Sequence, residues 1–353
     1  MSEKTVEIRL FDDNLRKYEE ELVEIILNIS KSKRVNPKVA RIACYLLIHG
    51  KLTQKELKEL TGFSMGTIST YLSVMAGTGY FQKQRIEGTH TFEYSFSGEL
   101  ETLTTQAIEF AIKHIGSFED FLKNKQKDLK KLIEQSKVGA EHLSLRIEEL
   151  LNSFEIYKIV YPYDELPVEK IQKKFSPKSF ECLKGEQKDV KEIKYDPEVY
   201  IIEDDIITEL IGSPMFSTRD PMFIKILGYF MTRKYLTQET LKNVTGLSAG
   251  KISEEVNQLL EDELIFKAHT SDKGKITYCA DSLILLRFSR YIIIKMTKWV
   301  KTLENMKLEL ERNKAEFKDL NGYTQIHKIY DYVLSAISDY SKYIKRIDTV
   351  VNL

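Results

Sequence analysis

The stretch that decides the fold is Leu52–Ser69, with the sequence LTQKELKELTGFSMGTIS. Thr53, followed three residues later by Glu56, is the pattern of a capping box that begins a helix. Gly62 suits the left-handed conformation that ends a helix, and Ser64 suits the cap of the next one. The stretch therefore predicts two short helices joined by a tight turn, the helix-turn-helix arrangement.

The same motif occurs a second time in the chain. Leu236–Ser253, with the sequence LTQETLKNVTGLSAGKIS, matches the first copy 184 positions later without a gap, and 11 of its 18 residues are identical. A match of this length between distant segments indicates an internal duplication. We therefore expect two copies of one domain in this chain.

Composition limits the partners that these domains could have. The chain has 353 residues, enough for two or three domains, and its 53 Lys and Arg residues balance its 53 Asp and Glu residues. Because the net charge is zero, any surface that binds nucleic acid must be local. The three cysteines, Cys44, Cys182 and Cys279, are too far apart for a metal spacing or a disulfide framework, which predicts reduced thiols in a cytoplasmic protein.

No stretch of the sequence has the pattern of a signal peptide or a membrane span. The first ten residues, MSEKTVEIRL, lack an apolar core. The most apolar run, Leu283–Met296, is interrupted by Arg287, Arg290 and Lys295. We therefore expect a protein without a membrane partner.

Hydrophobic spacing extends the first motif in both directions. Asp12–Ser30 has the pattern of an amphipathic helix, and Pro37 opens a further helix that ends at His49. After the motif, Tyr80–Arg85 and His90–Phe96 have the pattern of two strands around a glycine turn. Helix, helix-turn-helix and β-hairpin together predict a winged helix. The second copy repeats this order.

Long helices are expected after each winged helix. Apolar residues at heptad-like spacing run from Glu99 to about Ser136, and again after Gly139, which predicts an antiparallel helical hairpin. A second hairpin is expected around Gly322. Its return helix either packs in a core or forms the interface of a homodimer, and both alternatives stay open. The apolar residues of this seam are Ile326, Tyr330, Val333, Ile337, Tyr340 and Ile344.

These patterns predict a mainly α protein with small β-wings. It contains two tandem winged helix-turn-helix domains, each followed by a long antiparallel helical hairpin. The first half is expected at 1–161, with its winged helix at 37–97 and its hairpin at 99–161. A charged segment with three prolines predicts a linker at 162–195. The second half is expected at 196–353, with its winged helix at 221–281 and its hairpin at 283–350.

This order of elements resembles the MarR superfamily of winged-helix regulators. The motifs Leu52–Ser69 and Leu236–Ser253 are most similar to its GbsR-type branch. The resemblance implies DNA binding, with flanking helices that form a dimer interface. Members of that family carry one winged helix per chain and work as dimers, so two winged helices in one chain imply a covalently linked pseudo-dimer. If the regulator responds to a small-molecule effector, we expect its site in a cleft between winged helix and helical hairpin.

Candidate DNA contacts follow from a helical wheel with Ile68 at the centre of the buried face, and from the charge of the wings. Hydroxyls on the outward face of a recognition helix suit groove edges and phosphates, and basic residues on the wings suit phosphates. In the first copy the candidates are Ser64, Gly66, Thr67, Ser69, Thr70, Ser73, Lys83, Arg85 and His90. In the second copy they are Ser248, Lys251, Ser253, Asn257, Lys267, Lys273 and Lys275.

The two outward faces differ in charge. Thr70 of the first helix corresponds to Glu254 of the second, and a carboxylate there would be repelled by phosphates. The first copy is therefore expected to supply most of the sequence recognition. The acidic second helix also keeps an alternative open, in which the winged helices form an architectural or protein-interaction scaffold.

The sequence does not indicate an enzyme. The six histidines show no metal-ligand spacing, and none is paired in sequence with a nucleophile. No glycine-rich phosphate loop is present, so no cofactor is expected. The function that the sequence favours is a transcription regulator that binds double-stranded DNA.

Overall fold

The computed structural model describes residues 11–79, 81–160, 192–271 and 274–351. The protein is mainly helical, with two small antiparallel sheets of three strands each. Among the described residues, no helix is both long enough and apolar enough to cross a membrane. The predicted linker at 162–195 lies almost entirely outside the described residues.

The first repeat, residues 11–96, follows the predicted order of helices and strands. Pro37 opens the second helix as expected, and the two wing strands are present. A further strand of three residues directly precedes the first helix of the helix-turn-helix motif and was not predicted. The elements are α1 (Arg16–Ser32), α2 (Pro37–His49), β1 (Lys51–Thr53), α3 (Gln54–Thr61), α4 (Met65–Ala76), β2 (Phe81–Arg85) and β3 (Phe92–Phe96).

Strand β1 completes the sheet of the first repeat. The strand order is β1-β3-β2, and Leu52 of β1 pairs with Tyr94 of the antiparallel strand β3. Leu52 and Tyr94 are both buried, together with Leu57 of α3 and with Ile68 and Leu72 of α4. One core therefore packs α4 against α2, α3 and the sheet. The side of α4 that faces this core is the side that the sequence predicts to be buried.

The helices after the first repeat form the expected hairpin around Gly139, which has φ 91°. They are α5 (Leu103–Glu134) and α6 (Ala140–Val160). The second repeat, residues 197–279, then repeats the first. Its elements are α7 (Pro197–Gly212), α8 (Pro221–Arg233), β4 (Tyr235–Thr237), α9 (Gln238–Thr245), α10 (Ala249–Glu261), β5 (Phe266–Thr270) and β6 (Ile276–Cys279), with strand order β4-β6-β5.

The last part of the chain differs from its prediction in one respect. The stretch before the turn at Gly322 was expected to form one helix of the hairpin, but it breaks at Trp299 and again at Asn313. The observed helices are α11 (Ile284–Thr297), α12 (Val300–Arg312), α13 (Lys314–Phe317) and α14 (Tyr323–Val351).

A short backbone turn explains why the break at Trp299 was not predicted. The amide of Trp299 donates to the carbonyl of Met296, three residues back, so the helix tightens there without moving its apolar residues out of phase. The predicted turn at Gly322 is confirmed, with φ 99°. A Cβ on Gly322 would lie 2.3 Å from the Phe11 ring, so only glycine fits that position.

Two compact units make up the chain, and they do not coincide with its two sequence repeats. Unit 1 comprises the chain up to Ala107 with Ser217–Asp220 and Ile292–Ser341. Unit 2 comprises Ile108–Phe216, Pro221–Tyr291 and the residues from Lys342 onward. Each repeat therefore shares a unit with helices that follow the other repeat in sequence.

In unit 1, the seam of α14 is part of the core. Ile326, Tyr330, Val333 and Ile337 are buried in one cluster with residues of α1 and α12. The Tyr330 hydroxyl donates to the carbonyl oxygen of Tyr18 in α1 at 3.0 Å. Side chains buried within one chain are not available as a subunit surface, so these four residues favour the alternative of core packing over that of a homodimer interface.

The other two residues of the predicted seam, Tyr340 and Ile344, are half-buried. Their neighbours Tyr343 and Ile347 are buried more completely. Ile347 continues the heptad spacing of the seam after Ile344, whereas Tyr343 lies outside that spacing. The heptad register therefore extends to the C-terminal end of α14 but does not include the buried Tyr343.

In unit 2, a buried arginine of α6 contacts the C-terminal end of α8. Arg146 is 1% exposed, and its Nε donates to the carbonyl oxygen of Met231 at 3.1 Å. Its guanidinium also forms an ion pair with Glu149. A positive charge at the last carbonyls of a helix is favourable because those carbonyls have no partner within the helix.

Candidate nucleic-acid interface

The turn between α3 and α4 is held by side chains of the motif itself. Thr53 and Glu56 form the expected capping box: each side chain accepts from the other residue's amide, at 3.2 and 2.7 Å. The Thr61 hydroxyl donates to the carbonyl of Leu57 at 2.6 Å. Gly62 ends α3 with φ 71°, in the left-handed conformation that its lack of a Cβ allows.

The second repeat builds the same turn from the matching residues. The Thr245 hydroxyl donates to the carbonyl of Leu241 at 2.6 Å, and Gly246 has φ 74°. Gln238 donates to the Tyr278 hydroxyl at 3.3 Å, as Gln54 of the first repeat does to Tyr94 at 3.1 Å. The two motifs therefore share their geometry as well as their sequence.

The predicted DNA contacts in α4 and directly before it are open to solvent. Thr67 is half-buried, and the other five predicted residues are exposed. On the buried side, Ile68, Leu72 and Met75 are at most 3% exposed. The exposed residues are Ser64, Gly66, Ser69, Thr70 and Ser73.

Hydroxyls on this face already bond to their own helix. Thr70 Oγ1 donates to the carbonyl of Gly66 at 2.9 Å, and Ser73 Oγ donates to that of Ser69 at 3.0 Å. Each hydroxyl has one hydrogen, so these oxygens are left with free lone pairs and face solvent as acceptors.

Two exposed apolar residues of α4 are absent from the predicted contacts. Met65 is 42% exposed and Val74 is 38% exposed. On a helical wheel Met65 lies about 60° from Ile68, and Val74 lies about 120° from it in the opposite direction, so the two residues flank the hydroxyl-bearing face on opposite sides. Because both side chains are apolar, neither is among the predicted polar contacts. From Met65 to Ala76, α4 carries no charged residue.

The wing of the first repeat presents two cations beside an exposed aromatic ring. Lys83 Nζ lies 4.0 Å from the centre of the Phe92 ring, and Phe92 is 39% exposed. Arg85 Nε donates to the carbonyl of Thr89 at 2.8 Å, and its Nη2 lies 3.1 Å from His90 Nδ1. Within the described residues, neither cation forms an ion pair with a carboxylate. Sequence reasoning missed Phe92, which pairs with Arg85 across the hairpin.

Two predicted cations of the second repeat, Lys251 and Lys275, form ion pairs with carboxylates. Lys251 lies 2.9 Å from Glu255 and 3.1 Å from Glu254, and these two carboxylates raise its pKa. Lys275 lies 2.9 Å from Glu239, which likewise raises the pKa of the lysine.

The other predicted contacts of the second repeat vary in exposure. Ser248, Asn257 and Lys267 are exposed, and Ser253 is half-buried. Lys273 lies outside the described residues. Of the predicted basic contacts that are described in this repeat, only Lys267 lacks an acidic partner.

A small cavity of about 140 Å³ lies among α1, α2 and α3 of the first repeat. Ligand sites for drug-sized molecules are about 300–1,000 Å³, so this cavity is too small for such a ligand. The predicted effector cleft between winged helix and helical hairpin stays a prediction. Residues that line the cavity are Phe11, Arg16, Glu19, Glu20, Tyr45, Glu59 and Leu60.

Comparison with known proteins does not extend these findings. No family model matches the chain, and no curated protein matches it. The functional argument therefore depends on the geometry of the two repeats.

Proposed function

We propose that this protein is a DNA-binding transcription regulator, in which two tandem winged helices act as a covalent pseudo-dimer similar to MarR and GbsR-type regulators. Duplex DNA is bound mainly by the first repeat, with α4 in the major groove and the β2–β3 wing on the backbone. The observation that carries the proposal is the pairing of an open, uncharged α4 with two wing cations, Lys83 and Arg85, that have no acidic partner among the described residues.

Electrostatics supports this assignment to one repeat. Affinity for DNA comes largely from cations that replace the counterions of phosphates, and this needs positive charge that is not already neutralised. Lys83 and Arg85 meet that condition. Lys251 and Lys275 do not, because each would have to leave a carboxylate before it contacted a phosphate.

The salt dependence of binding to a random duplex tests the proposal. Replacing Lys83 and Arg85 by alanine removes two phosphate contacts, and each contact contributes about 0.9 to the slope of log K against log salt. The slope is therefore expected to fall by about 1.8 in the double variant. The matched control is the pair Lys251→Ala and Lys275→Ala, for which we expect little change.

Two results would contradict the proposal. Unaltered binding and slope in the Lys83 and Arg85 variant would remove this wing from the interface. An absence of salt-dependent binding in the unmodified protein would favour the alternative of a protein-interaction scaffold, to which the acidic α10 is better suited.

A further inference from the structure

The side chains of α4 lack the N–H donors that usually recognise guanine. In the major groove guanine presents only acceptors, O6 and N7, and proteins usually read it with the N–H donors of arginine or lysine. Helix α4, Met65–Ala76, contains no Arg, Lys, Asn, Gln or His. Among its outward hydroxyls, those of Thr70 and Ser73 already donate to backbone carbonyls. A guanine facing Thr70 or Ser73 would leave its acceptors without a donor, which is unfavourable.

The same surface offers what thymine and adenine need. Thymine is distinguished in the major groove by its 5-methyl group, which apolar side chains contact. Met65 and Val74 expose apolar atoms at the two edges of the face. The adenine amino group is a donor, and the outward oxygens of Thr70 and Ser73 are available as acceptors.

This combination is confined to the first repeat. The residue of α10 that corresponds to Met65 is Ala249, which is too short to reach as far. The residue that corresponds to Val74 is Gln258, whose Nε2 donates to Asp262 Oδ1 at 2.9 Å. Helix α10 therefore provides no equivalent apolar edges.

We propose that the first repeat selects thymine- and adenine-rich duplex DNA, with Met65 and Val74 as the residues that recognise the thymine methyl groups. Thr70 and Ser73 accept from adenine amino groups in the same site. The inference rests on the proposed function and adds to it the class of sequence that is read and two residues that determine it.

Replacing thymine by deoxyuridine is the sharpest test, because it removes the methyl group and keeps base pairing. The full chain is titrated with a duplex rich in thymine and with the same duplex containing deoxyuridine. Each contacted methyl is expected to contribute about fourfold in affinity, the factor for one buried carbon. The Met65→Ala, Val74→Ala double variant is expected to bind both duplexes equally. Gln258→Ala in α10 is the matched control and should keep the preference.

A second duplex, rich in G·C pairs, separates methyl recognition from a general preference for flexible DNA. Methylating its cytosines at C5 restores a methyl in the groove, so binding should improve in the unmodified protein and not in the double variant. Equal affinity for the thymine and deoxyuridine duplexes would overturn the inference and leave the proposed function standing. Tighter binding to the unmethylated G·C duplex would also overturn it. Absence of binding to every duplex would overturn both.

Discussion

Buried carboxylates at matching positions have different partners in the two repeats, a difference at the scale of single residues. Glu19 lies 2.7 Å from His49 in the first repeat, and Glu203 forms an ion pair with Arg233 in the second. Both pairs link the first helix of the repeat to the end of the next helix, and both carboxylates are buried. A buried carboxylate needs a hydrogen-bonding partner because desolvation penalises its charge. The partner differs between the repeats, whereas the acid is the same.

The pair in the second repeat gives a prediction on stability. Arg233→Met should destabilise the protein by about 3–5 kcal/mol, because Glu203 would stay buried without its partner. Adding Glu203→Leu should restore most of the lost stability. Thr232, which donates to Glu203, keeps an acceptor in this variant because the carbonyls of Gly228 and Tyr229 lie within 3.2 Å of its hydroxyl. Urea denaturation measures both variants. A double variant as unstable as the single one would show that the pair itself is needed.

His142 gives a prediction on pH. Burial, together with the charges of Arg146 and Arg233, lowers the pKa of His142 to about 4. The unfolded chain then binds this proton more readily between pH 4 and about 6.5, so stability should fall as pH decreases through that window. The slope for one proton is at most about 1.4 kcal/mol per pH unit.

Comparison with His142→Gln isolates this effect from the titration of other groups. Glutamine keeps a polar partner for the Tyr195 hydroxyl, which lies 2.9 Å from His142 Nδ1. The variant should therefore lose less stability than the unmodified protein between pH 6.5 and 4. His90→Gln, on the exposed wing, is the control and should leave the difference unchanged. Parallel pH curves for the unmodified protein and His142→Gln would refute the prediction.

At the scale of elements, local signals predicted helix ends better than strands or breaks. Pro37 and Gly62 mark ends of helices, and they do so here because each acts through its own backbone conformation. Strand β1 was missed because three residues carry no periodicity and its pairing partner, β3, lies about forty residues away. For the candidate interface, the wheel around Ile68 predicted the exposed face of α4. It did not predict that Glu239 would neutralise Lys275, which depends on packing between elements.

Exchange of charge between the two recognition helices tests their unequal roles. Thr70 and Glu254 occupy the same outward position of α4 and α10, and both are exposed. Thr70→Glu places a negative charge against the phosphates that line the groove and displaces the Thr70 contact. Specific binding should therefore weaken by about 5- to 150-fold, since one specific contact is worth about 1–3 kcal/mol. Glu254→Thr should leave specific binding unchanged or raise non-specific affinity. Binding of both variants to the preferred duplex is measured at one salt concentration. If Glu254→Thr abolished binding and Thr70→Glu had no effect, the second repeat would be the one that recognises the DNA sequence.

At the scale of the whole molecule, periodicity could not assign each helix to its partner. The seams of α5, α6 and α14 predict that each helix buries one face, but an apolar stripe does not specify what covers it. In the structure α14 packs with α1 in unit 1, and Arg146 of α6 contacts the carbonyl of Met231 in unit 2. These contacts join segments that are far apart in sequence, and only the folded chain reveals them.

The crossed composition of the units predicts how the chain behaves when it is cut between its repeats. A protease site placed within 162–190 divides the chain into a piece with the first repeat, α5 and α6, and a piece with the second repeat and α11–α14. Unit 1 needs α1 from the first piece and Tyr330 from the second, and unit 2 needs α6 from the first and α8 from the second. The pieces should therefore stay associated after cleavage and co-elute in size-exclusion chromatography.

A matched variant shows whether the buried seam accounts for this association. Tyr330→Glu with Ile337→Glu places two charges in a core where both residues are at most 1% exposed. The cleaved variant should separate, or lose its cooperative melting transition, because buried charges without partners are strongly unfavourable. Replacement of the exposed Leu308 by glutamate is the control and should leave the pieces together. If the unmodified pieces separate as two independently folded halves, each repeat packs with the helices that follow it in sequence, and the crossed composition of the units is wrong.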